Sequence, residues 1–490
     1  MLLLRSRHLA TVGVIVLVSL GSFITALDQT VVVTALPLMM VDLGVSVNQI
    51  DRASWIIISY LLGYTVVMPL VGRMSDVYGH VRVYQVALIV FAIGSVLVAL
   101  SVTLGWVVSA RVIQAVGGGA TVPVGMAIAT LALPARFRGL SLGIVAGAAE
   151  AGSMLGPVYG AAILEISDWR WIFWLNVPQA LILLLLSMFL PKFVSNHGRV
   201  DYLGAILTVT ALTLLTLGLS QKGLFVGFDL IGFCLILVAI IFILILVVHQ
   251  RSSDHPLVPA FLFRSMTFVS ANTAQVLVGA SLILAMVTIP LMANTVMGQD
   301  PTTGALWLLR MTIFIPIGAV VGGILLIWIQ TRWVMLGGLL IGSVGLFLMA
   351  TWNLDVTNIE LTTHLVISGF GYGVVISPIL TAALSAAHND YWATAASWVV
   401  VMRMLGMTLG LSALSAWGVS SFEMATSEIP FPMPEIGQSV PEFERLLSDY
   451  SGQVKVAGLA IFHSFFKFAA ICLVIALVPT LFISKPNEDS

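Results

Sequence analysis

Three ionisable residues stand where a membrane would exclude them. Asp28 lies in SFITALDQTVVVTALP, Glu150 in GIVAGAAEAGSMLGPVYGAA and Arg403 in SWVVVMRMLGMTLGLSAL, each within an apolar run long enough to cross a bilayer. A charge at the centre of such a run costs roughly 3 kcal/mol on insertion scales, so each should face protein or a water-filled cavity and mark a functional path. The chemistry open to a carboxylate there is the uptake and release of a proton. Beside an arginine it is held charged; in apolar surroundings it is driven toward protonation. Counted at 1.5 Å per residue from the cytoplasmic end assigned below, Glu150 and Arg403 both fall roughly 15 to 18 Å deep, with Asp28 farther toward the outer side. Glu150 and Arg403 can therefore pair at the midplane, with Asp28 as a second protonation site above them. The bland alternative is a static bridge, but a buried pair adds little net stability and loss of one partner leaves an uncompensated charge. If a conformational change parts the pair, proton uptake by Glu150 becomes coupled to that change.

The neighbours of these charges bear on the same chemistry. Gly152, Gly156 and Gly160 form one small-residue face, a pattern that lets helix backbones approach closely. Glu150 shares a different face with Gly143 and Gly147, where space is expected beside the charge. Pro157 removes an amide proton, which is tolerated where a neighbour satisfies the freed carbonyl, and the helix can serve as a hinge. Thr25 and Gly21 share the face of Asp28. In RVIQAVGGGA, Arg111 either snorkels to the interface or orients Asp28 or helps relay protons, with Gln114 close by. Arg310 and Lys467 read as snorkelling residues. In GRMSDVYGHVRV, Gly72 and Gly79 permit tight turning, and Asp76 can cap a helix or pair with Arg82 or Arg136. His249, His255 and His388 map to loops, and no His/Cys/Asp cluster has metal-ligand spacing, so no metal site is expected. No GxxxxGK[ST] sequence is present, which removes nucleotide hydrolysis through such a loop.

The composition behind these residues is that of an integral membrane protein. Of 490 residues, 59% are hydrophobic and 9% charged, with a mean hydropathy of +1.07, against about 25% charged in soluble domains. Nucleic acid is excluded as a partner, because the 21 basic residues are scattered through short loops. Cys234 and Cys472 both lie in apolar runs, so no disulfide framework is expected. The run after Arg5 and Arg7 is too long for a secretory signal and reads as an uncleaved first helix.

About fourteen all-α spans follow at roughly 20 residues per crossing, one of them a single span over residues 302–329. The arrangement expected is a six-helix half over 1–195, two inserted linker helices within 196–265, and a second six-helix half over 266–490. Basic residues collect on one side, including Arg73, Arg82, Arg136, Arg264, Arg332, Lys192 and Lys485; acids collect on the other. An even span count then makes both termini cytoplasmic. The longest outer segment, 420–453, carries Glu423, Glu428, Glu435 and prolines at 430, 432, 434 and 441. Beyond Pro441, apolar residues return at helical spacing, so the last helix should begin outside the membrane and project from it.

The motifs LDQTVVVTALP, GRMSDVYGHVRV, RVIQAVGGGA, GSMLGPVYGA and DWRWIFWLNVP together resemble the fourteen-helix drug:proton antiporter branch of the major facilitator superfamily over essentially the whole chain. AEAGSMLGPVYG and VMRMLGMTLGLSALSAWG are most similar to the mycobacterial exporters of triacylglycerol-type lipids, long described as multidrug pumps. The resemblance implies alternating access, with Asp28, Glu150 and Arg403 as proton-coupling acid, midplane glutamate and partnering arginine. It implies a plasma-membrane exporter without cofactors, driven by a proton gradient, whose partners are protons, membrane lipids and a lipophilic or lipid substrate, with room for an extracytoplasmic lipoprotein. The sequence departs from the pattern at Val77, Ala115 and Arg332. An apolar cavity with no mid-membrane acid in the second half suits lipid or neutral cargo better than sugars or cations. Rival readings are a broad drug pump, a membrane-embedded lipid-modifying enzyme, for which no nucleophile stands beside a base, and a nontransporting scaffold.

Overall fold

Apolar stretches of this length become helices because a backbone in hydrocarbon must satisfy its own N–H and C=O groups. The computed structural model describes residues 2–46, 49–191, 199–219, 230–253, 255–427, 432–433 and 440–484. Among them, fourteen helical segments are long and apolar enough to span a membrane. The first six are α1 (Leu2–Asp42), α2 (Trp55–Tyr78), α3 (His80–Ala99), α4 (Leu104–Ala132), α5 (Arg138–Leu164) and α6 (Arg170–Ser187). An inserted pair follows, α7 (Tyr202–Leu219) and α8 (Leu230–Ser252). The last six are α9 (Met266–Thr295), α10 in two pieces (Pro301–Thr312 and Phe314–Leu325), α11 (Thr331–Met349), α12 (Asn358–Ser385), α13 (Trp392–Ser427) and α14 (Val440–Thr480).

Helices α1 to α6 pack on one another, as do α9 to α14, giving two six-helix halves. The inserted helices pack mainly on each other, and α7 also touches α2 and α13. His249 belongs to the last turn of α8 rather than to a loop, with its Nε2 2.9 Å from Asp201 at the start of α7. The single span expected over 302–329 is one crossing, Pro301–Leu325, whose helix is interrupted at Ile313. Pro316 cannot donate to residue 312, and it is accommodated in the first turn of a new helix, where its missing N–H has no partner to lose. Asp300 caps the first piece, accepting from the backbone N (3.1 Å) and hydroxyl (2.6 Å) of Thr303; these bonds hold its carboxyl below the usual range.

The face bearing Arg73, Arg82, Arg136 and Arg332 is the basic face; the opposite one bears Asp42, Asp168, Asp300 and Asp355 and is the acidic face. At 1.5 Å per residue, α13 (36 residues) and α14 (41 residues) are about 54 and 62 Å long, far more than a 30 Å hydrocarbon core requires. Side chains 441–455 of α14 are all exposed or half-buried, so the helix projects beyond the bundle as the spacing after Pro441 predicts. Glu428, Pro430, Pro434, Glu435, Lys192 and Lys485 lie outside the described residues.

Candidate functional site: two charged centres and a latch

The glycine face of α5 is occupied by α1. A Cβ on Gly156 would stand 2.8 Å from the Leu27 carbonyl oxygen and 3.0 Å from the Val31 nitrogen, and one on Gly160 3.0 Å from the Val31 carbonyl oxygen. Gly152 is equally close to the Phe23 carbonyl. Backbone cannot retreat as a side-chain tip can, so these positions admit no side chain. The same contact solves the problem Pro157 creates. Its missing N–H frees the carbonyl of Ser153, and the Thr30 hydroxyl on α1 donates to that carbonyl at 2.8 Å. Helix α5 therefore runs unbroken through the proline.

The face carrying Gly143 and Gly147 is not open. Gly143 abuts the Ala319 carbonyl and Gly147 lies against Pro316, both on α10 in the other half. The expected space beside Glu150 is filled there because two glycines let the halves meet backbone to backbone. Glu150 itself meets Arg403 of α13: Arg403 Nη2 donates to Oε2 at 3.0 Å, and Nη1 donates to Oε1. The pair is bidentate, joins the two halves, and leaves the side chains 17% and 15% exposed. The spacing-based pairing of Glu150 with Arg403 is thus realised in the geometry.

Asp28 forms a second, fully buried centre inside the first half. Its Oδ2 accepts from Arg111 Nη1 at 2.8 Å, and its Oδ1 accepts from Gln114 Nε2 at 3.0 Å and from Asn176 Nδ2 at 2.5 Å. Arg111 also donates to Gln114 Oε1 at 2.8 Å, and Gln114 to Ser95 at 2.8 Å. Arg111, Gln114 and Asp28 are 0% exposed. Arg111 does not snorkel. A charge that deep is retained because a carboxylate, an amide and the ring of Tyr60, 4.0 Å from the guanidinium carbon, surround it. Thr25 does not touch the Asp28 carboxyl. Its hydroxyl pairs with Thr121 at 2.7 Å, and its carbonyl accepts from the Tyr60 hydroxyl at 3.2 Å, so it braces the ring under Arg111.

Asn176, Tyr60 and Tyr64 escaped the reading of the sequence. Asn176 was visible as the amide within DWRWIFWLNVP, one of two in α6 with Gln179. Tyr60 and Tyr64, one helical turn apart on α2, stack at 6.0 Å with 22° between planes. Tyr60 lies against the Asp28 and Arg111 centre, and Tyr64 within electrostatic reach of Glu150 and Arg403, so one aromatic pair spans the gap between the two charged centres.

At the basic face Asp76 works across the halves. Its Oδ1 accepts from the Ala393 N (3.0 Å), and its Oδ2 accepts from the Thr394 N (2.9 Å) and hydroxyl (2.6 Å). These donors belong to the first turn of α13, where unpaired N–H groups and the helix dipole favour an anion. Asp76 caps a helix, as one expectation had it, and pairs with neither Arg82 nor Arg136. Both are too exposed to compete with a buried helix terminus. Gly72 permits the approach, since a Cβ there would meet the Ala393 carbonyl oxygen at 2.7 Å; Gly79 takes a positive φ of 98° at the turn that follows. Arg73 stacks on Tyr391 and Arg138 on Trp392, each at 4.6 Å, and Ser377 donates to the Gly139 carbonyl at 2.6 Å. The replacement of the usual arginine by Val77 does not prevent the latch from forming. All these contacts lie between the Glu150–Arg403 pair and the basic face, so the conformation is closed on that side.

Among the described residues no group of His, Cys, Asp or Glu could hold a metal ion. A model of the major facilitator superfamily matches residues 18–411. The chain belongs to the major facilitator superfamily. It is 36% identical over 493 residues to a triacylglyceride transporter of Mycolicibacterium smegmatis, covering 96% of this chain and 87% of the relative. It is 34% identical over 497 residues to a triacylglyceride transporter of Mycobacterium tuberculosis, covering 96% and 94%. Among solved structures it resembles the proton:xylose symporter bound to 6-bromo-6-deoxy-D-glucose (TM-score 0.60, 15% identity, 95% of each chain). It also resembles the Escherichia coli fucose:proton symporter (TM-score 0.62, 13% identity, 98% of this chain and all of that one). At such identities these two show the fold alone. The chain is a multi-pass membrane transporter.

Proposed function

We propose that this transporter exports neutral lipids, triacylglycerol foremost, in exchange for protons. The observation that carries the proposal is the bidentate Glu150–Arg403 pair at the junction of the two halves, with no second acid in its hydrogen bonds. A proton on Glu150 removes one charge of the pair, which frees Arg403 to move away with the second half and lets the basic face open. Return of the pair expels the proton and closes that face again. Asp28 is the second protonation site, and Arg111, Gln114 and Asn176 set its readiness to take a proton. The distribution of arginines supports a cytoplasmic basic face, with both termini on the cytoplasmic side of a plasma membrane. No cofactor is called for beyond the gradient. The lipid cargo rests on the relatives named triacylglyceride transporters and on a second half whose membrane interior carries Arg403 but no acid.

The test is reconstitution into liposomes with an imposed pH gradient, following a fluorescent triacylglycerol and ethidium in parallel. Gradient-dependent movement of the lipid, lost in Glu150→Gln, is expected. Movement of ethidium alone would make the protein a drug pump, and gradient-independent movement of either would overturn proton coupling.

A further inference from the structure

Lys467 is a cation on the wrong side of its helix. It lies in the exposed stripe of α14 with Phe468, Ile471, Val474 and Val478, the stripe that faces away from the rest of the bundle. Among the described residues it has no ion-pair partner. Thirteen residues separate it from Thr480, about 20 Å of helix rise. Side chains lean toward the N-terminus of a helix, which for α14 is the acidic-face end, so the four-carbon stem carries the ammonium farther the same way. In a hydrocarbon core of about 30 Å the ammonium therefore arrives at the headgroup level of the acidic-face leaflet.

An apolar cavity of about 290 Å³ lies at its chain neighbours Phe465 and Phe468. Leu284 of α9, Ala413, Leu414 and Trp417 of α13, and Phe465 and Phe468 of α14 line it. The rings of Trp417 and Phe465 meet edge to face at 5.3 Å. Among the described residues its walls are apolar and offer an acyl chain close packing. A cation at headgroup level, without an ion-pair partner among the described residues and next to an apolar slot, is complementary to one molecule the surroundings supply, a lipid with a negative phosphate and a chain long enough to enter the slot.

We propose that α13 and α14 hold an anionic phospholipid of the acidic-face leaflet, its phosphate on Lys467 and one acyl chain in the cavity beneath Trp417. The site sits at the root of the two projecting helices and is separate from the space between the halves. A single lysine near an anionic surface corresponds to about five-fold enrichment of anionic over zwitterionic lipid.

The protein in nanodiscs, with chain-brominated phosphatidylglycerol or phosphatidylcholine in an otherwise unlabelled bilayer, reports occupancy through Trp417. Its contribution is the difference between wild type and Trp417→Phe, which isolates one of 12 tryptophans. Brominated phosphatidylglycerol is expected to quench Trp417 about five-fold more effectively than brominated phosphatidylcholine. Lys467→Gln should abolish that preference, and Arg445→Gln, far out on the projection, should leave it intact. Equal quenching by both lipids in wild type, or a preference that survives in Lys467→Gln, overturns the proposal.

Discussion

Neutralising the midplane acid should open the basic face without any change of pH. In Glu150→Gln the guanidinium of Arg403 keeps one acceptor but loses its countercharge. Removing one partner of a buried ion pair costs about 3–5 kcal/mol. The amide oxygen that Gln retains as an acceptor for the guanidinium reduces this to about 2–3 kcal/mol. With the pair parted in the open conformation, as proposed above, that loss falls only on the closed one, so the ratio of closed to open protein should fall roughly 30- to 150-fold. Arg136 and Gln330 are exposed residues of opposite halves at the basic face, close to the Gly139–Leu326 contact. Spin labels on Arg136→Cys and Gln330→Cys, in a background carrying Cys234→Ser and Cys472→Ala, report the separation by pulsed dipolar spectroscopy. A shift of the distance distribution to longer values at neutral pH is expected in Glu150→Gln. A neutral pair is often no less stable than the ion pair it replaces, so the double variant Glu150→Gln/Arg403→Met should regain much of the closed population while losing its response to pH. Identical distributions in wild type and Glu150→Gln would refute the idea that this pair holds the halves together.

The remaining expectations concern the other contacts. Asp76→Asn keeps the shape of the latch but loses the anion at the start of α13, at a cost of about 0.5–2 kcal/mol, and the same labels should show partial opening. Thr30→Val leaves the Ser153 carbonyl buried without a donor and should destabilise the protein by about 1–3 kcal/mol in thermal unfolding; Pro157→Ala, which restores the helix N–H, should rescue it, and an equal loss in both backgrounds would show that Thr30 acts otherwise. Asn176→Ala removes one of the three donors to the Asp28 carboxyl and leaves that oxygen short of a partner, so proton-driven transport should fall while thermal stability drops by about 1–3 kcal/mol; unchanged transport would leave Asn176 a packing residue.

Much of this was legible in the chain itself. Length and apolarity dictate helices, since nothing else satisfies a backbone in lipid, and the isolated charges at 28, 150 and 403 announce themselves by their cost. Their depth along each run was enough to match Glu150 with Arg403. What the sequence left undecided are contacts between residues far apart in the chain. Asp76 and Thr394 are 318 positions apart, and the acceptor chosen for the α13 terminus depends on which loop the other half brings to it. Asn176 and Tyr60 reach Asp28 and Arg111 only once α2, α4 and α6 surround α1. Thr30 is ordinary in sequence and becomes the partner of a proline-freed carbonyl because three glycines draw α5 against α1. Periodicity and hydropathy are local and fix which segments cross the membrane; ion pairs, caps and orphaned carbonyls are settled by the neighbour that packing supplies.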